Sequence, residues 1–110
     1  MTDKRIVLST AGSEDEAREI AEVLVERRLA ACVNIVPQIE SVYHWQGKVE
    51  SSREWLLVIK TTAERFPEVR ATVQELHSYE LPECIAVAVE EGSAAYLHWI
   101  TDSVKGKSSA

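Results

Sequence analysis

Glycine is scarce in this chain (4 residues), as is proline (3), so a low-complexity linker protein is excluded. The two cysteines, Cys32 and Cys84, are too few for a disulfide scaffold and read as thiols. No apolar run approaches the roughly 20 residues that a membrane helix needs. Met1-Thr2-Asp3-Lys4-Arg5 leads into a short apolar run without a signal-peptide core, so the expected location is the cytoplasm, away from any membrane. Basic residues are outnumbered 12 to 18, for a formal charge of −6. A surface of that sign repels a phosphate backbone and argues against a nucleic-acid partner. Enzyme signatures are also missing: no GxSxG, no phosphate loop and no dinucleotide fingerprint. No catalytic role is therefore expected. What is present is 110 residues, 45% hydrophobic and 27% charged, enough for one globular domain with a modest core.

Ile6–Ala11 is a short strand run that stops at Gly12. Ser13-Glu14-Asp15-Glu16 matches a capping box, and Ala17, Ile20, Ala21, Leu24 and Val25 form one apolar face. This predicts a helix over about 13–29, with Arg27-Arg28 in its last turn. Cys32–Val36 reads as a strand that Pro37 interrupts, implying a bulge or an edge position. Ile39, Ser41, Tyr43 and Trp45 then alternate on one face, and Gln46-Gly47 reads as a hairpin turn. The return arm runs from Lys48 to about Thr61. A second helix begins between Thr62 and Pro67, carries Phe66, Val69, Val73 and Leu76, and ends near His77-Ser78. Cys84–Val89 is continuously apolar, which predicts a strand buried on both sides. Ser93 is a plausible cap for a last helix with Tyr96, Leu97 and Ile100.

This order predicts an α+β, ferredoxin-like βαββαβ sandwich with an extra C-terminal helix and a long central hairpin. Residues 1–104 form a single domain and 105–110 a frayed tail. Each hairpin arm, at about 14 residues and roughly 3.3 Å per residue, would reach near 45 Å. Two helices cannot cover the distal half, which carries Val42, Tyr43, Trp45 and Val49. A solitary two-stranded ribbon is marginal in water. Covering by other copies makes a closed homo-oligomer the physical expectation; a shorter ordered hairpin is the alternative.

Soft metals want three or four thiolate and imidazole groups together. The chain offers Cys32, Cys84, His44, His77 and His98, with no CxxC, HxH or HExxH spacing. Both cysteines lie in apolar strands, where small core residues are commonest. A second constellation is Tyr43, Trp45, Lys60, Tyr79 and Glu83. A lysine ending an apolar strand needs a partner or a ligand, and Glu83 is one candidate partner. Aromatics with a few polar groups describe a small-molecule cleft. Interface packing with one structural ion pair is the competing reading.

Leu29-Ala30-Ala31-Cys32-Val33-Asn34-Ile35-Val36-Pro37, Ser41–Val49, Ile59-Lys60-Thr61-Thr62, His77–Glu83 and Tyr96–Ile100 stand in an order and spacing that resembles the CutA family of divalent-cation tolerance proteins. The resemblance covers about Ile6 to Ile100. It implies a homotrimer like that of the PII signalling proteins, with hairpins reaching onto neighbours. It also implies a role in tolerance of copper and other divalent metals, with ions such as copper or zinc bound but none obligatory. His77 matches the family's histidine, and His77 with Cys32 become the metal candidates. Tyr43, Trp45, Lys60, Tyr79 and Glu83 match residues that the family places in clefts between subunits. Two positions depart from the pattern. Ser78 replaces a proline, and Ser9 stands where some members carry a copper-ligating cysteine; a hydroxyl is a poor ligand for copper(I). The function expected is therefore a trimeric, metal-responsive binding protein that takes ions or a small ligand between subunits. A structural scaffold with incidental metal binding is the alternative.

Overall fold

Strands and helices follow in the order β1 (Lys4–Ala11), α1 (Glu14–Glu26), β2 (Cys32–Trp45), β3 (Lys48–Thr62), α2 (Phe66–Leu76), β4 (Ile85–Ala88) and α3 (Ala94–Ser103). The computed structural model describes residues 1–106; the end of the expected tail, residues 107–110, lies outside the described residues. The strands form one antiparallel sheet in the order β2-β3-β1-β4, which is the ferredoxin-like arrangement expected.

Directly opposed residues share a face of the sheet. Val7 with Ile59, Ser9 with Leu57 and Ala11 with Trp55 therefore point to one side. That side meets Ala17, Ile20, Ala21 and Leu24 of α1 and Val69 and Val73 of α2 in a single core. Ile20, Leu24, Leu57 and Ile59 are fully buried, each contributing roughly 1.5–3 kcal/mol of hydrophobic stabilisation. Thr61 brings a polar group into this layer, and its Oγ1 donates to the Leu29 carbonyl at 2.6 Å.

Ser13 caps α1, its Oγ accepting from the Glu16 N–H at 3.2 Å. The reciprocal half of the capping box is not made, because the Glu16 carboxylate turns away to residues after α2. The helix ends at Glu26, short of residue 29. Arg28 adopts a left-handed φ of 57°, and the amides of Leu29 and Ala30 both donate to the Leu24 carbonyl. Arg27 and Arg28 thus lie just beyond the helix.

The register between β2 and β3 shifts between Val36 and Ile39, with Gln38 at φ 57°, so Pro37 marks a bulge on an edge strand. Gln46 and Gly47, at φ 51° and 81°, close the hairpin with the two positive angles of a type I′ turn. β1 pairs only with Trp55–Thr62 of β3, so Lys48–Glu54 have β2 alone as a neighbour. The long two-stranded ribbon is therefore present.

One expectation is corrected. β4 is not buried on both sides: it is an edge strand paired with β1 alone, and Ile85 and Val87 are 54% and 50% exposed. They oppose Leu8 and Ile6 on the face away from α1 and α2, which no element among the described residues covers there. α3 lies over only one end of that face, burying Ile100 while Tyr96 and Trp99 remain exposed.

Candidate functional site

Alternation along the hairpin does the first part of the construction. Ile39 opposes Glu54, Ser41 opposes Ser52, Tyr43 opposes Glu50 and Trp45 opposes Lys48, so all eight share one face. Tyr43 is steadied on it by a 3.1 Å hydrogen bond to Ser52 Oγ, its diagonal neighbour. Opposite this face runs the loop after α2. Between them lies a cavity of about 630 Å³ lined by Thr10, Tyr43, Trp45, Glu54, Tyr79 and Glu83, among others.

The loop is held by His77, whose side chain is 0% exposed. Its Nε2 donates to the Thr10 carbonyl at 2.5 Å, and its Nδ1 accepts from the Tyr79 N–H at 3.0 Å. Glu16 fastens the next residue: Oε1 accepts from the Ser78 N–H at 2.9 Å and Oε2 from Ser78 Oγ at 2.7 Å. Oε1 also lies 3.2 Å from His77 Nδ1. Ser78, where a proline would have no N–H to give, thus gains an anchor that proline lacks.

This anchoring aims Tyr79 across the cavity. Its ring stands 4.6 Å from that of His77, and its hydroxyl donates to Glu54 Oε2 at 2.8 Å. Gly12 permits the approach, since a Cβ there would sit 2.9 Å from the Tyr79 Oη. Burial, with the hydrogen bond to Glu54 and its charge added, pushes the Tyr79 phenol well above the usual range. Glu54 itself is only 7% exposed.

Four of the five expected cleft residues, Tyr43, Trp45, Tyr79 and Glu83, line this cavity; Lys60 does not. Lys60 opposes Ile6 of β1, four residues (about 13 Å) along the strand from Thr10. Its Nζ donates to Asn34 Oδ1, not to Glu83. It lines instead a smaller hollow of about 220 Å³ with Arg5 and Tyr96, beneath α3. Cys32 stands beside Lys60 on the edge strand, so it and His77 are not brought together. Cys84 packs at the margin of the core, where burial pushes its thiol up. Ser9 is fully buried under the helices, with no partner for its Oγ among the described residues. His44 is exposed on the hairpin and His98 pairs with Asp102 at 3.2 Å. Among the described residues no group of three or more His, Cys, Asp or Glu is placed to hold a metal ion. The donor set of a single chain therefore does not fit a metal centre.

The sequence reading does not place Glu54, Glu16 or Thr10 at the site; Glu16 reads there only as half of the capping box. Glu54 carried a signal, being an acid at the head of the apolar run Trp55–Ile59 and in phase with Tyr43. Thr10 contributes only a carbonyl, which no sequence pattern marks.

Comparison with known proteins agrees with this architecture. Residues 5–103 match the family model described as CutA1 divalent ion tolerance protein. A "Divalent-cation tolerance protein CutA" of Thermus thermophilus is 48% identical over 91% of this chain and 97% of its own length. A "Protein CutA" of Mus musculus is 46% identical, but this chain spans 59% of its length. The crystal structure of CutA from Xylella fastidiosa superposes with a TM-score of 0.93 at 41% identity, over 94% of this chain and all of that one. An Archaeoglobus fulgidus structure, called a periplasmic divalent cation tolerance protein, superposes with a TM-score of 0.90 at 42% identity, over 93% of this chain and 99% of that one. Among the described residues no helix is long and apolar enough to cross a membrane. With the fold, the long hairpin and the relatives in agreement, the chain belongs to the CutA1 family of divalent ion tolerance proteins.

Proposed function

We propose that this chain works as a cytoplasmic homotrimer in divalent-ion tolerance, binding ions or a small ligand where its cavity meets a neighbouring subunit, and that its role is binding, not catalysis. The observation that carries the reading is the bare side of the sheet. Ile85, Val87 and Val36 stand exposed there beside Leu8, Leu56 and Val58. On this face the hairpin adds exposed Tyr43 and Trp45, and on its other face exposed Val42 and Val49, all beyond the reach of β1. Contiguous apolar surface of this kind marks an interaction face, and an edge strand at each side of the sheet favours closure by copies of the same chain. Two cysteines left as thiols are in keeping with a reducing compartment.

Copper or zinc bound by His77 or Cys32 must draw further donors from another subunit, since one chain supplies no cluster of three among the described residues. His77 would also have to release Thr10 or Tyr79, because both ring nitrogens are engaged. Sedimentation equilibrium at micromolar concentration is expected to give three copies, and a monomer would overturn the shared cleft. Calorimetric titration with Cu(II) and Zn(II) is expected to saturate at a fixed ratio of ions to trimer. The missing donor cluster favours, as a second reading, a trimeric scaffold with incidental metal binding. A stoichiometric protein partner retained after chelation would support it.

A further inference from the structure

The lining of the main cavity is chemically one-sided. It carries three aromatic rings, Tyr43, Trp45 and Tyr79, and three carboxylates, Glu54, Glu80 and Glu83, but no lysine, arginine or histidine. Glu54 is the most telling of these, at 7% exposure. Its Oε2 accepts from Tyr79, and among the described residues Oε1 accepts no hydrogen bond. No cationic side chain lies within 4.0 Å of it among those residues. Its free oxygen is left to the cavity, a mostly buried carboxylate for which the described residues supply no counter-charge.

The form of that counter-charge follows from the geometry. A divalent ion needs several oxygen or nitrogen ligands converging on one point. The carboxylates here form no such group, and the ring carbons of Tyr43, Trp45 and Tyr79 that line the cavity with them are no ligands for a small hard ion. Aromatic faces do attract a diffuse cation, with tryptophan the strongest. The volume, about 630 Å³, falls within the range of small-molecule sites. Taking this cavity as the ligand site proposed above, on which this step rests, we infer that its ligand is a small organic cation, an alkyl- or arylammonium, seated on the aromatic rings with its charge toward Glu54.

The test compares benzylammonium with benzyl alcohol, a near-isostere without the charge, at pH 7 by calorimetry and tryptophan fluorescence. Benzylammonium is expected to saturate one site per chain and to bind at least about tenfold more tightly than the alcohol. Glu54→Gln keeps the size and an acceptor for Tyr79; it should cost benzylammonium about tenfold and leave the alcohol unchanged. Glu83→Gln repeats the test at the exposed rim, with a smaller loss in the same direction. Equimolar Zn(II) should not displace the amine. Equal binding of the two probes, no saturation, an unchanged Glu54→Gln variant or displacement by Zn(II) would each overturn the assignment. Sedimentation of the same samples separates the two readings. A trimer that ignores benzylammonium removes only the ligand class, whereas a monomer that binds it removes only the shared cleft.

Discussion

Tyr79→Phe isolates one atom. The phenyl ring keeps its place against His77 and over Gly12, while the hydroxyl that donates to Glu54 at 2.8 Å disappears. A hydrogen bond to a charged acceptor contributes about 1.5–3 kcal/mol, and a buried partner left bare carries the full desolvation cost. Glu54 is nearly buried and has no other donor among the described residues, but its cavity opens to water, so the lower half of that range applies. A loss of about 2 kcal/mol per subunit is expected, or roughly 8–16 °C in melting temperature for a domain this size. Urea unfolding of the wild type, Tyr79→Phe, Glu54→Gln and the double variant gives the coupling directly. The phenol is held above its ordinary value, so the unfolded chain ionises first as pH rises. Its contribution is whole below about pH 10 and drains away above it. The alkaline limb of stability should therefore flatten in Tyr79→Phe, and the absorbance titration at 295 nm should lose its latest component. A variant within about 0.5 kcal/mol of wild type, with an unchanged alkaline limb, would refute the reasoning.

Ser9→Ala removes a buried hydroxyl without a partner among the described residues, and should leave the fold unchanged or more stable by about 1 kcal/mol in urea unfolding. Gly12→Ala puts a Cβ within 2.9 Å of the Tyr79 Oη and should cost about 1–3 kcal/mol. The cost should shrink in a Tyr79→Phe background, because the nearest atom is then gone; thermal unfolding of the four proteins checks this. Thr61→Val deletes the bond to the Leu29 carbonyl inside the core and should cost about 1–3 kcal/mol in denaturant unfolding.

Local features were legible in the residues because their causes are local. Ser13 caps the helix it precedes, Pro37 marks a bulge and Gln46-Gly47 turns the hairpin, each through backbone angles that neighbouring residues dictate. β4 was misjudged for the opposite reason. An apolar run shows that something must cover it, not whether the cover comes from the same chain. The site divides the same way. Tyr43 and Trp45 followed from alternation, whereas His77 owes its role to Thr10 and Glu16, more than sixty positions away in sequence. Glu83 was one candidate partner for Lys60, yet the sheet supplies another in Asn34, diagonal to it across β2 and β3. Glu54 went unremarked because an acid ahead of an apolar run, in the polar stretch of a hairpin arm, looks solvent-facing until the loop after α2 is seen to lie over it.

Glu16 sits in the first turn of α1 yet spends both its oxygens on Ser78. That choice mechanically links a helix end to a cavity wall. Fraying of the turn, the softest part of any helix, unlatches the loop bearing Tyr79, and settling of the loop stiffens the turn. The amide of Ser78 should then exchange with solvent at the pace of the helix opening, as though the two distant segments shared one hinge pin.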